Sequence, residues 1–273
     1  MVMSLALLHA GAQVGWTAFS VHPSTVVGIA GLAGVYEYAK RETGTGSRFP
    51  FYLSLALMFF SLNGPLHDLS DSYLFSAHML QHLLLAFAIA PLMIMGVSGD
   101  MLRPTLRVRA VRIAAEWLTR PTHAFAIFTV VVSAWHLPPM YNYALAHHDI
   151  HIVQHLMFLA ASVIMWWPVL SPLPELPRLS YPGQMLYLFL LTIPMAIVAV
   201  YITYADTVLY PMYASAPRVW GITPMNDQLY GGLLMWIPGG LYFYTIISIV
   251  FYRWQMAGAE DSREAAQVGW AAR

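Results

Sequence analysis

Apolar residues along this chain fall into seven long runs separated by short polar segments. Most runs approach the roughly 20 residues that a helix needs to cross the hydrocarbon layer of a membrane, and the second and fourth are shorter. The runs cover residues 19–39, 51–66, 77–97, 123–137, 150–173, 181–204 and 229–252. The pattern predicts an all-α, polytopic bundle of seven transmembrane helices as a single domain over residues 1–255, followed by a short cytoplasmic tail over residues 256–273.

Composition supports the same class. The chain is 59% hydrophobic and 10% charged, with a mean hydropathy of +0.59, whereas about 25% of the residues in a soluble domain are charged. We therefore expect an integral membrane protein with the lipid bilayer as its solvent and no nucleic-acid partner. Residues 1–21 contain neither Lys nor Arg, so we expect no secretory signal with a basic start.

The basic residues predict the orientation, because they prefer the cytoplasmic side of a membrane. With the N-terminus outside and the C-terminus in the cytoplasm, all but Arg218 of the 13 basic residues fall on the cytoplasmic side. They lie in the first, third and fifth loops and in the tail (Lys40, Arg41, Arg48, Arg103, Arg107, Arg109, Arg112, Arg120, Arg178, Arg253, Arg263, Arg273).

A histidine motif occurs twice, each time at the start of an apolar run. The two copies read His78-Met79-Leu80-Gln81-His82 and His151-Ile152-Val153-Gln154-His155. Residues four apart lie on one face of a helix, so each copy presents two imidazoles to a common point. An ionisable side chain is expensive inside a membrane and marks a functional site by default. The four histidines predict a metal site.

Further histidines and acids are predicted to lie on the same side of the membrane. His67 and His136 come at the outer ends of the helices that precede the two motifs. The same outer loops carry Asp68, Asp71 and Asp149 and neither Lys nor Arg, so the local field favours a cation. We expect His67 and His136 to act as entry or exchange ligands of a site open to the outer face.

The available donors limit the identity of the metal. The chain has no cysteine, which excludes a thiolate site, an iron-sulfur cluster and any disulfide. Imidazole, with a thioether from Met79 or Met140, suits monovalent copper best, then zinc and haem iron. A different interpretation also stays open: the paired histidines join helices by hydrogen bonds. Gln81 and Gln154 would then form further hydrogen bonds between helices, or they would orient an imidazole.

An enzyme is the least supported class. The sequence contains no Ser-His-Asp ordering, no phosphate-cradling glycine loop and no HEXXH string, so we expect no catalytic function. We expect the pairs Gly231-Gly232 and Gly239-Gly240 to permit close helix packing. We interpret Asp206 and Asp227 as solvated loop acids, with partner binding as the alternative.

Several motifs, in order along residues 26–252, resemble the CtaG family of cytochrome c oxidase assembly factors. They are Phe75-Ser76-Ala77-His78-Met79-Leu80-Gln81-His82, Ala90-Pro91-Leu92, Trp135-His136-Leu137-Pro138, His151-x-x-x-His155 and Trp166-Trp167-Pro168. The resemblance implies a multi-pass protein of the bacterial plasma (inner) membrane that helps mature a haem-copper oxidase by handling copper on the outer face. Its partners would be oxidase subunits and soluble or anchored copper chaperones.

The resemblance makes six histidines the natural ligand candidates (His78, His82, His151, His155, His67, His136). A non-enzymatic assembly factor that binds copper and delivers it to the oxidase is the leading hypothesis. A membrane cytochrome that binds haem b through the same histidines and a copper transporter are the alternatives.

Overall fold

In a computed structural model the chain is described over residues 19–271, with side chains described over residues 19–258. Residues 1–18 of the predicted domain therefore lie outside the described residues. The described part is helical and contains no strand. Its helices are α1 Pro23–Thr43, α2 Arg48–Ser61, α3 Gly64–Ser72, α4 Phe75–Gly96, α5 Gly99–Leu102, α6 Arg109–Leu118, α7 Pro121–His136, α8 Pro138–Ala146, α9 His148–Leu170, α10 Tyr181–Thr203, α11 Pro211–Ser215 and α12 Pro224–Ala271.

Each of the seven apolar runs falls on a helix, which confirms the all-helical class. Among the described residues, α4, α9, α10 and the Pro224–Gly258 part of α12 are long and apolar enough to cross a membrane. The pairs α2–α3 and α7–α8, bent by 47° and 73°, raise the number of spans to six if each pair counts as one. Helix α1 does not reach the same threshold, so seven spans and the orientation of the termini stay predictions.

The outer loops expected after the second and fourth runs are short helices. Helix α3 begins at Gly64, whose φ of +68° suits a residue without a Cβ. Helix α8 begins at Pro138, which holds the preceding Leu137 in an extended conformation with ψ 131°. The chain bends at each break, by 47° between α2 and α3 and by 73° between α7 and α8. After its bend, α3 packs against the start of α4.

Helix α4 carries Pro91 in its interior, which removes one backbone N–H from the helix. A π-helical segment over Leu84–Ile89 precedes it, so the carbonyls of Ala86 and Phe87 lose the partner that residue 91 would otherwise offer. The indole Nε1 of Trp166 donates to the Ala86 carbonyl at 2.8 Å, and the Tyr242 hydroxyl donates to that of Phe87 at 2.6 Å. These two bonds fasten α4 to α9 and α12.

Helix α12 packs closely against two neighbours through its first glycine pair. A Cβ at Gly231 would collide with the ring of Phe75, and one at Gly232 would meet the backbone N of Thr203 at 3.0 Å. This confirms the packing expected for Gly231-Gly232. A Cβ at Gly239 would meet Phe87 and Leu83 only at ordinary contact distances of 3.6 and 3.8 Å, and one at Gly240 would meet nothing within 4 Å, so the packing at the second pair does not require glycine.

The interpretation of Asp227 as a solvated loop acid is wrong. Asp227 lies in the first turn of α12 and is buried. Its carboxylate accepts hydrogen bonds from the backbone N–H groups of Phe75 at 2.6 Å and Ser76 at 3.0 Å, and from the Ser76 hydroxyl at 2.5 Å. These are the N–H groups that the first turn of α4 leaves unpaired. The acid of one helix therefore caps the helix that carries the first histidine motif.

The histidine motifs and the first basic loop lie at opposite ends of the bundle. Both motifs occupy the N-terminal turns of α4 and α9. At the far end of α4, the N–H of Ser47 donates to the Gly96 carbonyl at 2.8 Å, and Arg103 pairs with Glu175 at 2.6 Å. The end of the bundle that carries the histidines is thus the one that the basic residues predict to be outside.

We predict that Asp227→Asn destabilises the protein. The amide keeps the shape of the side chain but removes the charge that strengthens three hydrogen bonds at a helix N-terminus, so the free energy of unfolding should fall by about 2 kcal/mol. Thermal unfolding in detergent measures the change. Asp206→Asn, at an exposed acid, is the matched control, and an equal loss in the two variants would contradict the capping role.

Candidate metal centre

The two histidine motifs meet inside the bundle. The ring centroids of His78 and His82 lie 4.3 Å apart, and those of His78 and His155 5.7 Å apart. One nitrogen of each of these three rings lies within 4.8 Å of the other two. His151 is 5.2 Å from His78 by ring centroids. All four side chains are buried.

The hydrogen bonds assign the proton of His78 to Nδ1. Tyr213 has one hydroxyl hydrogen, and it donates that hydrogen to the Ser70 carbonyl at 2.6 Å. At 3.3 Å from His78 Nδ1 the same hydroxyl must therefore accept. His78 then keeps the lone pair of Nε2, which lies 2.9 Å from His82 Nε2.

This assignment decides the tautomer of His82 as well. Because His78 Nε2 is an acceptor, His82 Nε2 carries the hydrogen of the bond between them, and the lone pair of His82 lies on Nδ1. That Nδ1 is buried and has no hydrogen-bond partner within the described part of the chain. The Nε2 atoms of His151 and His155 are buried without a partner in the same sense.

Buried polar atoms almost always have a hydrogen-bond partner, so these exceptions require an explanation. A bound cation provides one, because each lone pair is a ligand atom. The donor set also fits a metal: neutral imidazoles converge to within 4.8 Å from two helices, and a carboxylate, that of Asp71, forms a second group with His78 and His151 at the same spacing. His78 belongs to both groups.

Asp71 is a site residue that the sequence reasoning placed only in an acidic loop. It lies on α3, where its Oδ2 is 3.3 Å from His67 Nε2 and 3.7 Å from His151 Nδ1. The signal was present, since His67 and Asp71 are four residues apart like the histidines of each motif. The hydrophobic pattern predicts a loop at this segment, whereas the structure has a helix there, and residues four apart share a face only on a helix.

Both ring nitrogens of His67 face a polar partner, so His67 has no free lone pair. The amide Nε2 of Gln81 donates to His67 Nδ1 at 3.2 Å and to the Ser61 carbonyl at 2.6 Å, while the Ser70 hydroxyl donates to Gln81 Oε1 at 3.0 Å. The remaining His67 nitrogen faces Asp71. Gln81 therefore acts both as glue between helices and as the group that orients an imidazole.

His136 lies on the inner side of the cluster, away from the entry position that was expected for it. Its Nδ1 donates to the Val132 carbonyl at 2.7 Å, and its Nε2 has no partner among the described residues. Its ring centroid is 5.7 Å from that of His82. Of the two candidate methionines, Met79 is buried and Met140 is exposed.

His22, which precedes α1, is a further imidazole near the mouth of the site. Its ring lies 4.3 Å from that of His67 and 6.1 Å from that of His148. Burial, and then the neighbouring His67, lower the pKa of His22 below its ordinary value of 6.5. His22 is therefore a neutral ring at pH 7, with a lone pair available to a cation.

A haem does not fit the same side chains as they stand. The cavity that borders His82 and His136 has a volume of about 10 Å³, which holds one water-sized particle. A macrocycle needs a flat cleft between rings on two facing helices, whereas His78 and His82 are in direct hydrogen-bond contact. The arrangement is suited to a single ion.

Residues 31–257 match the sequence profile of a family described as "Cytochrome c oxidase caa3 assembly factor (Caa3_CtaG)". Two curated relatives, uncharacterized protein Mb0105 of Mycobacterium bovis and uncharacterized protein MT0111 of Mycobacterium tuberculosis, are each 25% identical over 220 residues. The matches cover 72% of this chain and 32% of each relative, so the chain spans about a third of their length. No solved structure matches the chain.

The two motif glutamines provide a matched test of the site's hydrogen bonds. Gln81→Leu removes the hydrogen bonds that the amide makes to the Ser61 carbonyl and His67 Nδ1, so we expect it to lower the free energy of unfolding by about 1–3 kcal/mol. Gln154 is buried and neither of its amide atoms has a partner in the described chain, so Gln154→Leu should be neutral or stabilising. Thermal unfolding of both variants in detergent measures the two changes in stability. A loss as large at Gln154 would show that its amide has a partner of its own.

Proposed function

The chain belongs to the family of cytochrome c oxidase caa3 assembly factors, and from that premise we propose that it binds monovalent copper in the histidine cluster and delivers it to the oxidase. It would do so as a multi-pass protein of the bacterial plasma membrane, at the outer face, without catalysing a reaction. Copper is the cargo rather than a resident cofactor. The oxidase subunits receive it, and soluble or anchored copper chaperones supply it.

The observation that carries the proposal is the set of unpartnered imidazole nitrogens in an apolar bundle. His155 Nε2 and His151 Nε2 are buried without a partner in the described chain, next to the nitrogens of His78 and His82. Neutral imidazoles suit a monovalent ion, since a singly charged complex costs less to bury than a doubly charged one. Copper is the metal that such donors prefer in a chain without cysteine.

The overlap of the two ligand groups supports transfer rather than storage. Asp71, His78 and His151 form the group nearer the bundle end, and His78, His82 and His155 form the group further in. Because His78 belongs to both, an ion can exchange Asp71 and His151 for His82 and His155 while it keeps one ligand throughout. Stepwise exchange of this kind lets a protein pass on an ion that it binds tightly.

A scaffolding role is the second candidate, and one specific observation favours it. The His78 and His82 rings are hydrogen-bonded at 2.9 Å, and Tyr213 links His78 to Ser70 of α3. Contacts of this kind hold helices together without any metal. In that case the cluster would stabilise a surface on which the oxidase subunits assemble.

We predict that the variant His82→Ala/His155→Ala binds Cu(I) at least 10-fold more weakly than the wild type. The variant removes two of the three ligands in the group of His78, His82 and His155. Competition with a chromophoric Cu(I) chelator, on detergent-purified protein under reducing conditions, measures the affinity. His123→Ala/His147→Ala is the control, since both of its rings lie outside the cluster and bond to carbonyls nearby.

Complementation separates delivery from scaffolding. In cells lacking the native gene, the His82→Ala/His155→Ala variant should support oxidase activity when copper is plentiful and fail when copper is scarce. A folded variant that assembles active oxidase at low copper as well as the wild type does would refute delivery. Failure at every copper concentration, with unchanged Cu(I) affinity in vitro, would favour the scaffold.

A further inference from the structure

A small cavity lies on the inner side of the histidine cluster. Its volume is about 10 Å³, which is the size of one water molecule or one metal ion. Side chains of α4, α7, α9, α10 and α12 line it, and the donor atoms among them come from Met79, His82, His136, Met195 and Met235. All five side chains are buried.

Two of these side chains have a lone pair without a partner. His136 must carry its hydrogen on Nδ1, because that atom donates to the Val132 carbonyl, and the lone pair therefore lies on Nε2. His82 carries its hydrogen on Nε2, towards His78, and its lone pair on Nδ1. Both lone-pair atoms are buried and without a hydrogen-bond partner in the described residues. Two of the imidazoles that line the cavity, on two helices, thus carry buried lone-pair atoms without a partner in the described residues.

The other three donors are thioethers from three different helices. Met79 lies on α4, Met195 on α10 and Met235 on α12. Buried methionines are ordinarily flexible packing. These three share a cavity with two unpartnered imidazole lone pairs, and the rest of the lining is apolar, without a carboxylate. Imidazole and thioether without an anion favour a soft monovalent cation and disfavour Mg²⁺, Ca²⁺ and Zn²⁺.

We propose that this cavity is a second metal site, which holds a soft monovalent d10 cation between His82 Nδ1, His136 Nε2 and the thioethers of Met79, Met195 and Met235. Cu(I) is the biological ion and Ag(I) its stable substitute. The site depends on the proposed function only for the choice of copper as the ion. It does not depend on delivery to the oxidase.

The site extends the ligand sequence of the outer cluster inward. His82 belongs to the outer group and also borders the cavity; its one lone pair lies on Nδ1, so binding an ion through Nε2 requires the ring hydrogen to move from Nε2 to Nδ1. A single ion would therefore pass from imidazole-only ligation to mixed imidazole and thioether ligation with His82 as the shared ring. Sulfur ligands protect Cu(I) from exchange with water, so the inner position holds the ion and the outer one releases it.

The test uses the full-length protein in detergent, labelled with ¹³C at the methionine methyl groups and titrated with Ag(I). Binding at the cavity shifts the methyl resonances of Met79, Met195 and Met235, which single Met→Leu variants assign. Leucine keeps the volume of methionine and is well tolerated in cores. The triple variant Met79→Leu/Met195→Leu/Met235→Leu should bind Ag(I) at least 10-fold more weakly. Met95→Leu/Met157→Leu/Met225→Leu, at exposed methionines, should bind like the wild type.

The outcomes separate this site from the outer one. If Ag(I) leaves the three methyl resonances unshifted, or the cavity triple variant keeps wild-type affinity, the inner site is refuted, whether or not the outer histidines bind copper. If Ag(I) shifts the three methyl resonances in the variant His151→Ala/His155→Ala as it does in the wild type, the result supports the cavity site, even if the outer histidines bind no copper.

Discussion

Every polar atom inside this bundle has to find a partner from the protein itself, because lipid and apolar side chains offer none. That constraint explains contacts that are far apart in the fold. Asp227 caps the N–H groups at the start of α4. Trp166 and Tyr242 bond the carbonyls that Pro91 leaves free in the same helix. Together they hold α4 in register with α9 and α12, and the position of both histidine motifs depends on that register.

Several of the exceptions to the constraint lie in the histidine cluster. Buried ring nitrogens of four histidines (His82, His136, His151, His155) have no partner within the described residues, although tyrosine, serine and glutamine side chains satisfy the groups around them. A bundle that pairs its carbonyls across three helices has the means to pair these nitrogens too. These unpartnered nitrogens are the reason that the cluster is a candidate metal site.

The arrangement is graded along the bundle. Near the end of the bundle the donors include the carboxylate of Asp71, further in they are imidazoles, and around the small cavity imidazoles meet thioethers. Hard, charged donors thus give way to soft, neutral ones as water becomes scarcer. His78 joins the first two groups, and His82 joins the second to the cavity. A cation bound along this series would never have to leave all of its ligands at once.

The hydrophobic pattern alone predicted the helices, because runs long enough to cross a membrane leave few other structures, and the spacing of four within each motif predicted that His78 and His82, like His151 and His155, share a helix face. The roles of other residues were decided by contacts between segments distant in sequence. Asp227 became a cap because α12 packs on α4, Asp71 joined the site because Gly64 starts a helix where a loop was expected, and His136 borders the cavity because α7 packs against α9 and α10. Local periodicity specifies which face a residue occupies on its own helix. Only the packing of the helices decides what that face meets.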